Sequence, residues 1–264
     1  MQPATPAGNG IKTPVQTADP LPMTGLLGAG IAVMILADAV VGTRLVWLAS
    51  RTRRLPELGL GGSLLLLGAI GYPLSIAARS GGGGSPEADA AWLGAALGFQ
   101  NLGCAAMAVA TLATFRPRVG WGRALTGLCA LLLLGSWGVQ LATGDFANRP
   151  GASAAYWVGF AGRVLPFVWA AVESWRYHAL LRRRLQVGLA EPAVTDRFRL
   201  WAISASGVVC AFAVFLVGIL AGLEVATSPW VLVPTSVVGC ISGVTLWLAF
   251  LPPAWYLRRF APAS

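Results

Sequence analysis

Lysine and histidine are almost missing from this chain of 264 residues, which has one of each, Lys12 and His178. Charged residues of both signs make up 11% of the sequence, too few to clothe a soluble domain of this size. Each scarcity excludes a chemistry. With a single histidine, neither a bis-histidine haem site nor a three-histidine zinc site can be built, and the HExxH pattern of zinc proteases is absent. The lone lysine falls in the N-terminal tail, so no span can carry a retinal Schiff base. Cys104, Cys129, Cys210 and Cys240 form no CxxC pair and all sit in apolar stretches, where they read as small packing residues. No nucleophile–base or metal set can be assembled, so neither an enzyme nor a cofactor is expected.

What the chain has in abundance is apolar sequence, 56% by count. A helix needs about 20 mostly apolar residues to cross the hydrocarbon core of a bilayer. Stretches that meet this run over 24–50, 57–78, 91–114, 121–143, 154–178, 200–223 and 230–251. Barrel strands alternate in polarity, whereas Leu64-Leu65-Leu66-Leu67 and the run Val208 to Leu220 do not. The expected fold is an all-α membrane protein, a seven-transmembrane-helix bundle over 23–260, with a disordered extracytoplasmic tail over 1–22 and a short cytoplasmic tail over 261–264. The tail has no charged start followed by an apolar core, so it does not read as a secretory signal, and the first span is expected to act as its own insertion signal.

The arginines orient the spans. Arg51, Arg53 and Arg54 follow span one, and Arg116, Arg118 and Arg123 surround the link from three to four. The link from five to six carries Arg176, Arg182, Arg183, Arg184, Arg197 and Arg199, and the C-terminal end Arg258 and Arg259. The alternate connections hold only Arg79 and Arg149, together with Glu87, Asp89, Asp145 and Glu224. The positive-inside rule then puts the N-terminus outside and the C-terminus in the cytoplasm. Topology accounts for the net charge of +9, so no nucleic-acid partner is inferred. The partners expected are membrane lipids, with Arg182, Arg183 and Arg184 open to anionic headgroups or a cytoplasmic protein.

Trp92 and Trp230 are expected at the outer membrane face, and Trp47, Trp121, Trp175, Trp201 and Trp255 at the inner one. Ser80 to Ser85, rich in glycine, reads as a flexible outer linker, and span five as a helix continuing through Arg184 until Gly188 and Pro192. Gly94/Gly98, Gly218/Gly222 and Gly239/Gly243 each make a GxxxG, which suits close helix packing or a homodimer. Pro73 and Pro166 lie deep in spans and predict local irregularity there.

Ionisable and polar residues at mid-depth are the candidate binding site. Asp38 lies about fourteen residues into span one and Arg163 about nine into span five from the same face, a depth difference of roughly 7 Å. Gln100, Asn101, Ser236 and Cys240 reach comparable levels. An unpaired charge there costs on the order of 3 kcal/mol. Asp38 and Arg163 are therefore expected to face the interior and either pair or share a network with Gln100 or Asn101, only one of which can point the same way. Pro166 is expected to bend span five and open a space beside Arg163. Arg44 is expected to snorkel to water, Glu173 to pair with Arg176 one turn on, and His178 to be an interfacial residue.

Two stretches, Arg53-Arg54-Leu55-Pro56-Glu57 leading to Gly71-Tyr72-Pro73, and Gly188-Leu189-Ala190-Glu191-Pro192 followed by Asp196-Arg197-Phe198, resemble seven-helix integral membrane proteins of bacteria. The resemblance covers only these regions. It implies the helix count and a bacterial inner-membrane location and brings no activity with it. The sequence thus favours a receptor-like protein that senses or binds a small molecule or lipid and passes this to a cytoplasmic partner. A small-solute or ion-coupled transporter, its coupled flux depending on Asp38, or a structural membrane subunit without ligand, are the alternatives.

Overall fold

The structure, a computed structural model, describes residues 21–148, 150–225 and 228–260, with side chains described from Gly30 onward. Most of the N-terminal tail with Lys12, as well as Arg149 and the C-terminal 261–264, lies outside the described residues.

Seven long helices follow one another: α1 Leu21–Thr52, α2 Leu55–Arg79, α3 Pro86–Phe115, α4 Gly120–Thr143, α5 Ala154–Gln186, α6 Pro192–Leu220 and α7 Pro229–Phe250. A short α8, Ala254–Leu257, folds back beneath the last of them, and no strand occurs among the described residues. All seven are long and apolar enough to cross a membrane. Their ends follow the local sequence. Ser85 caps α3 by accepting the Ala88 N–H at 3.2 Å, with Pro86 in the first turn and Glu87 and Asp89 beside the dipole's positive end. α5 runs on through Arg184, and Gly188, at φ 72°, supplies the left-handed residue that ends it before Pro192 starts α6. The glycine-rich connection Ser80 to Ser85, expected to be a flexible linker, is a hydrogen-bonded turn: Gly82 N–H reaches Ala77 O at 2.9 Å and Gly83 N–H the Asp89 carboxylate at 2.8 Å.

Consecutive helices pack against each other, α7 returns to α1, and α3 also touches α5. The result is a closed ring of α1, α2, α3, α5, α6 and α7, with α4 seated outside against α3 and α5. The arginine-rich connections gather at one end of this ring. The interior is built from Val41, Leu64, Cys104, Leu133, Phe167 and Leu246, among others. The outer surface is apolar as well, with Leu131 at 69% and Leu220 at 71% exposure, which water would not tolerate over so many positions. Trp47, Trp92, Trp121, Trp230 and Trp255 are exposed near helix ends, as an interfacial belt requires, and Trp175 is exposed within α5, three turns before its end. Trp201 is not. It is buried in the core between Phe115, Phe198 and Phe250, because its face of α6 turns toward the ring interior.

Small residues allow these approaches. A Cβ at Gly239 would meet Met34 at 3.2 Å and one at Gly243 would meet Ala37 at 3.4 Å, so that pair seats α1 on α7. Gly94 faces the Phe146 ring at 3.0 Å, Gly98 faces Trp137 at 3.3 Å, and Gly218 faces Val231 at 2.7 Å. These contacts are between helices of one chain. Gly222, expected to pack together with Gly218, instead takes φ 69° just beyond the end of α6.

The irregularity expected at Pro73 is a π-helical stretch, Leu64–Gly71, in the middle of α2. Proline offers no N–H to the turn before it, and the widened winding lets the Tyr72 N–H bond five residues back to Leu67 O. Pro166 behaves differently. It is fully buried inside an unbroken α5, and the space expected beside Arg163 is filled by α4, with Leu132 and Leu133 at 3.2 and 3.3 Å from a Cβ built on Gly162.

Candidate functional site

The mid-depth polar residues divide into separate groups. Gln100 on α3 crosses to the irregular part of α2, donating to Gly71 O at 3.1 Å and to Ser75 Oγ at 2.7 Å. Its neighbour Asn101, about 100° further round the helix, turns to the opposite side. There Asn101 Oδ1 accepts from the buried Arg163 guanidinium at 3.3 Å, while its Nδ2 donates to Leu133 O at 3.1 Å. Asn101 therefore ties α3, α4 and α5 together. Ser236 is buried on α7 against Gly30 of α1, and Cys240 Sγ lies 3.8 Å from Gly30 O.

Asp38 and Arg163 are not brought together. α1 packs on α2 and α7, whereas α5 packs on α3, α4 and α6. Equal depth does not put two side chains on neighbouring helices. The half-buried Asp38 lies on Gly68 in the π-helical stretch of α2, where only glycine leaves room for the carboxylate, and it has no hydrogen bond or ion pair among the described residues. Among those residues no three His, Cys, Asp or Glu side chains gather as a metal would need.

The large cavity lies elsewhere, at the arginine-rich end. It is a half-open cavity of about 680 Å³, lined by α1, the start of α2, the start of α6, the end of α7 and α8. Leu45, Trp201 and Phe250 make an apolar wall, and Arg44, Glu57 and Arg197 bring charge to it. Arg44, expected only to snorkel, thus lines a cavity. Thr52 Oγ1 donates to the Glu57 carboxylate across the α1–α2 junction, so the acid is engaged within its own wall. Arg44 and Arg197 make no hydrogen bond or ion pair among the described residues. Next to the lining residues, Tyr256 of α8 ties that short helix to α6, its hydroxyl donating to Asp196, while Asp196 also holds Arg199 at 2.5 Å. At the opposite end of the bundle a niche beside Arg79 and Tyr156 measures only about 20 Å³.

This cavity was hidden in the sequence because five segments far apart in the chain each supply a piece. The signals that were present are Arg44 inside a span end and the i,i+4 pair Arg197 and Trp201 on one face of α6.

Two further contacts organise the same end. Glu173, expected to pair with Arg176, is instead held by Arg116 from the end of α3, Nε to Oε1 at 2.9 Å and Nη2 to Oε2 at 3.1 Å. Glu173 is buried and faces α3, while Arg176 points outward; the fork of Arg116 matches both carboxylate oxygens. That hydrogen bond holds Arg116 further toward its charged form. His178 Nδ1 lies 3.0 Å from Thr195 O, so this nitrogen carries the proton and links α5 to the first turn of α6.

Seven membrane-crossing helices in an all-helical ring, with an apolar exterior and polar residues turned inward, make this a multi-pass membrane protein. No family model, no curated protein and no solved structure matches the chain.

Proposed function

We propose that the protein is a receptor-like binding protein of the bacterial inner membrane, N-terminus outside, which takes a small molecule or lipid into the cavity at its cytoplasmic end. The observation that carries this reading is the cavity itself. Its volume of about 680 Å³ falls in the ~300–1,000 Å³ range of small-molecule sites, and it combines apolar walls with a few charged groups. A route to a cytoplasmic partner runs from the same wall. Val194 and Arg197 line the cavity, the intervening Thr195 is bonded to His178, and one turn beyond His178 α5 carries Arg182, Arg183 and Arg184. An occupant that shifts the start of α6 would move this basic ridge, where an acidic surface of a partner would dock.

The test is native mass spectrometry of the mildly solubilised protein, wild type beside Leu48→Trp. Leu48 lines the cavity yet is 36% exposed, so an indole fills space there without disturbing the core. A stoichiometric adduct on the wild type that the variant lacks supports the reading; an adduct equally present on both sinks it.

A second reading has its own support. Asp38, without a hydrogen bond or ion pair among the described residues and set against a π-helical stretch of α2, is an arrangement suited to an ion-coupled carrier, in which such a carboxylate takes up and releases a proton. Proton flux in proteoliposomes that disappears with Asp38→Asn would favour it over the binding protein.

A further inference from the structure

We infer that the cavity selects an anionic amphiphile, with a phosphate-type headgroup at Arg44 and Arg197 and an alkyl chain along Leu45, Trp201 and Phe250. This rests on the cavity being the binding site. Three observations define the ligand class. First, the charge lining the cavity is unbalanced: two arginines face it without an ion pair among the described residues, while the one carboxylate, Glu57, already accepts from Thr52. Guanidinium groups suit phosphate oxygens, which accept two parallel N–H bonds. Second, the remaining wall is apolar and aromatic, which a hydrophilic free anion would leave uncovered and an alkyl chain would bury. Third, the cavity is reached at the arginine-rich helix ends, where Arg44 and Arg197 are exposed and where Trp47 and Trp255 mark the membrane boundary. A headgroup at that level has its chains beside the bundle already. An anionic phospholipid of the adjoining leaflet is the source that these features fit.

The experiment uses the full chain in zwitterionic nanodiscs, titrated with phosphatidylglycerol, with phosphatidylcholine of the same acyl chains, or with inorganic phosphate, and read by native mass spectrometry of the released protein. Two arginines predict a preference on the order of tenfold for phosphatidylglycerol in a one-to-one complex. The double variant Arg44→Gln, Arg197→Gln should lose this preference, and Arg118→Gln, exposed at the same end and outside the cavity lining, should keep it. Both altered arginines are exposed, and circular dichroism checks that the helices persist. Millimolar phosphate should leave the lipid complex intact.

Equal retention of the two lipids, lost with Leu48→Trp, would overturn the choice of an anionic ligand and leave the cavity a binding site. Displacement of the lipid by phosphate alone would overturn the amphiphile. Preference unchanged in the double arginine variant would remove Arg44 and Arg197 from the site, and retention of neither lipid would remove lipids from the cavity altogether.

Discussion

Asp38 of α1 rests on Gly68 of α2 so closely that a Cβ on the glycine would overlap the carboxylate. The contact falls inside the π-helical stretch Leu64–Gly71, which Pro73 imposes just below it. Gly68→Ala should therefore destabilise the bundle by about 1–3 kcal/mol through overpacking. Asp38→Gly in the same background should recover most of that loss, since it removes the group that clashes. Equilibrium unfolding in mixed micelles measures both, and simple additivity of the two substitutions would argue that they do not touch.

A different outcome is expected for Asp38 and Arg163. The two lie on helices that do not pack against one another, so Asp38→Asn and Arg163→Gln should combine additively, within about 0.5 kcal/mol. Asn101→Leu, which takes the acceptor from a buried guanidinium, should cost about 2–3 kcal/mol and couple strongly to Arg163→Gln. Coupling between Asp38 and Arg163 instead would require a rearranged ring.

These two cases show where sequence reading works and where it stops. Length and apolarity reveal the seven spans because a bilayer sets a minimum helix length, and scarcity of charge singles out Asp38, Gln100, Asn101 and Arg163. Depth along each span is also legible, as the rise per residue is fixed. Which helix stands beside which is not. Asn101 and Gln100 part company by one helical step, and Asp38 meets a glycine in place of an arginine. Glu173 shows the same limit: its nearest arginine in sequence points outward, and a partner 57 residues away closes the fork. The cavity is the extreme case, assembled from five chain segments that share no local pattern.

Glu173 and Arg116 supply a third prediction. Glu173 is buried and Arg116 partly so, with a two-oxygen fork, so their double-mutant cycle should give about 1–2 kcal/mol, above the ~0.2–1 kcal/mol of exposed pairs. Arg176→Gln should not couple to Glu173→Gln. Thermal unfolding of the four variants in detergent provides the comparison.

At the other end of the bundle, Asp145 gives a pH dependence. Hydrogen bonds from Ser153 and then Asn148 hold its carboxyl below the usual carboxylate range. A depressed folded-state pKa means the stabilisation is present above the unfolded value, about 3.9, and is lost as pH falls through the folded one. Ser153 also caps α5, accepting the Tyr156 N–H at 3.0 Å. Ser153→Ala should thus lower stability by about 1 kcal/mol at neutral pH and flatten the acid dependence; Asp145→Asn should flatten it while keeping the cap. Melting temperatures from neutral pH down to about pH 3 separate the two, and an acid limb unchanged in both variants would remove Asp145 as its source.

A specific occupant should sit in the cavity at the arginine-rich end. Photo-crosslinking tests it most directly, with a photoreactive amino acid at Val194 in the cavity wall and, as control, at Leu131, which is 69% exposed on the outer face of α4. After irradiation in native membranes, mass spectrometry should find one discrete adduct at Val194 and the mixed population of bulk lipids at Leu131. The same bulk mixture at both positions would contradict the account.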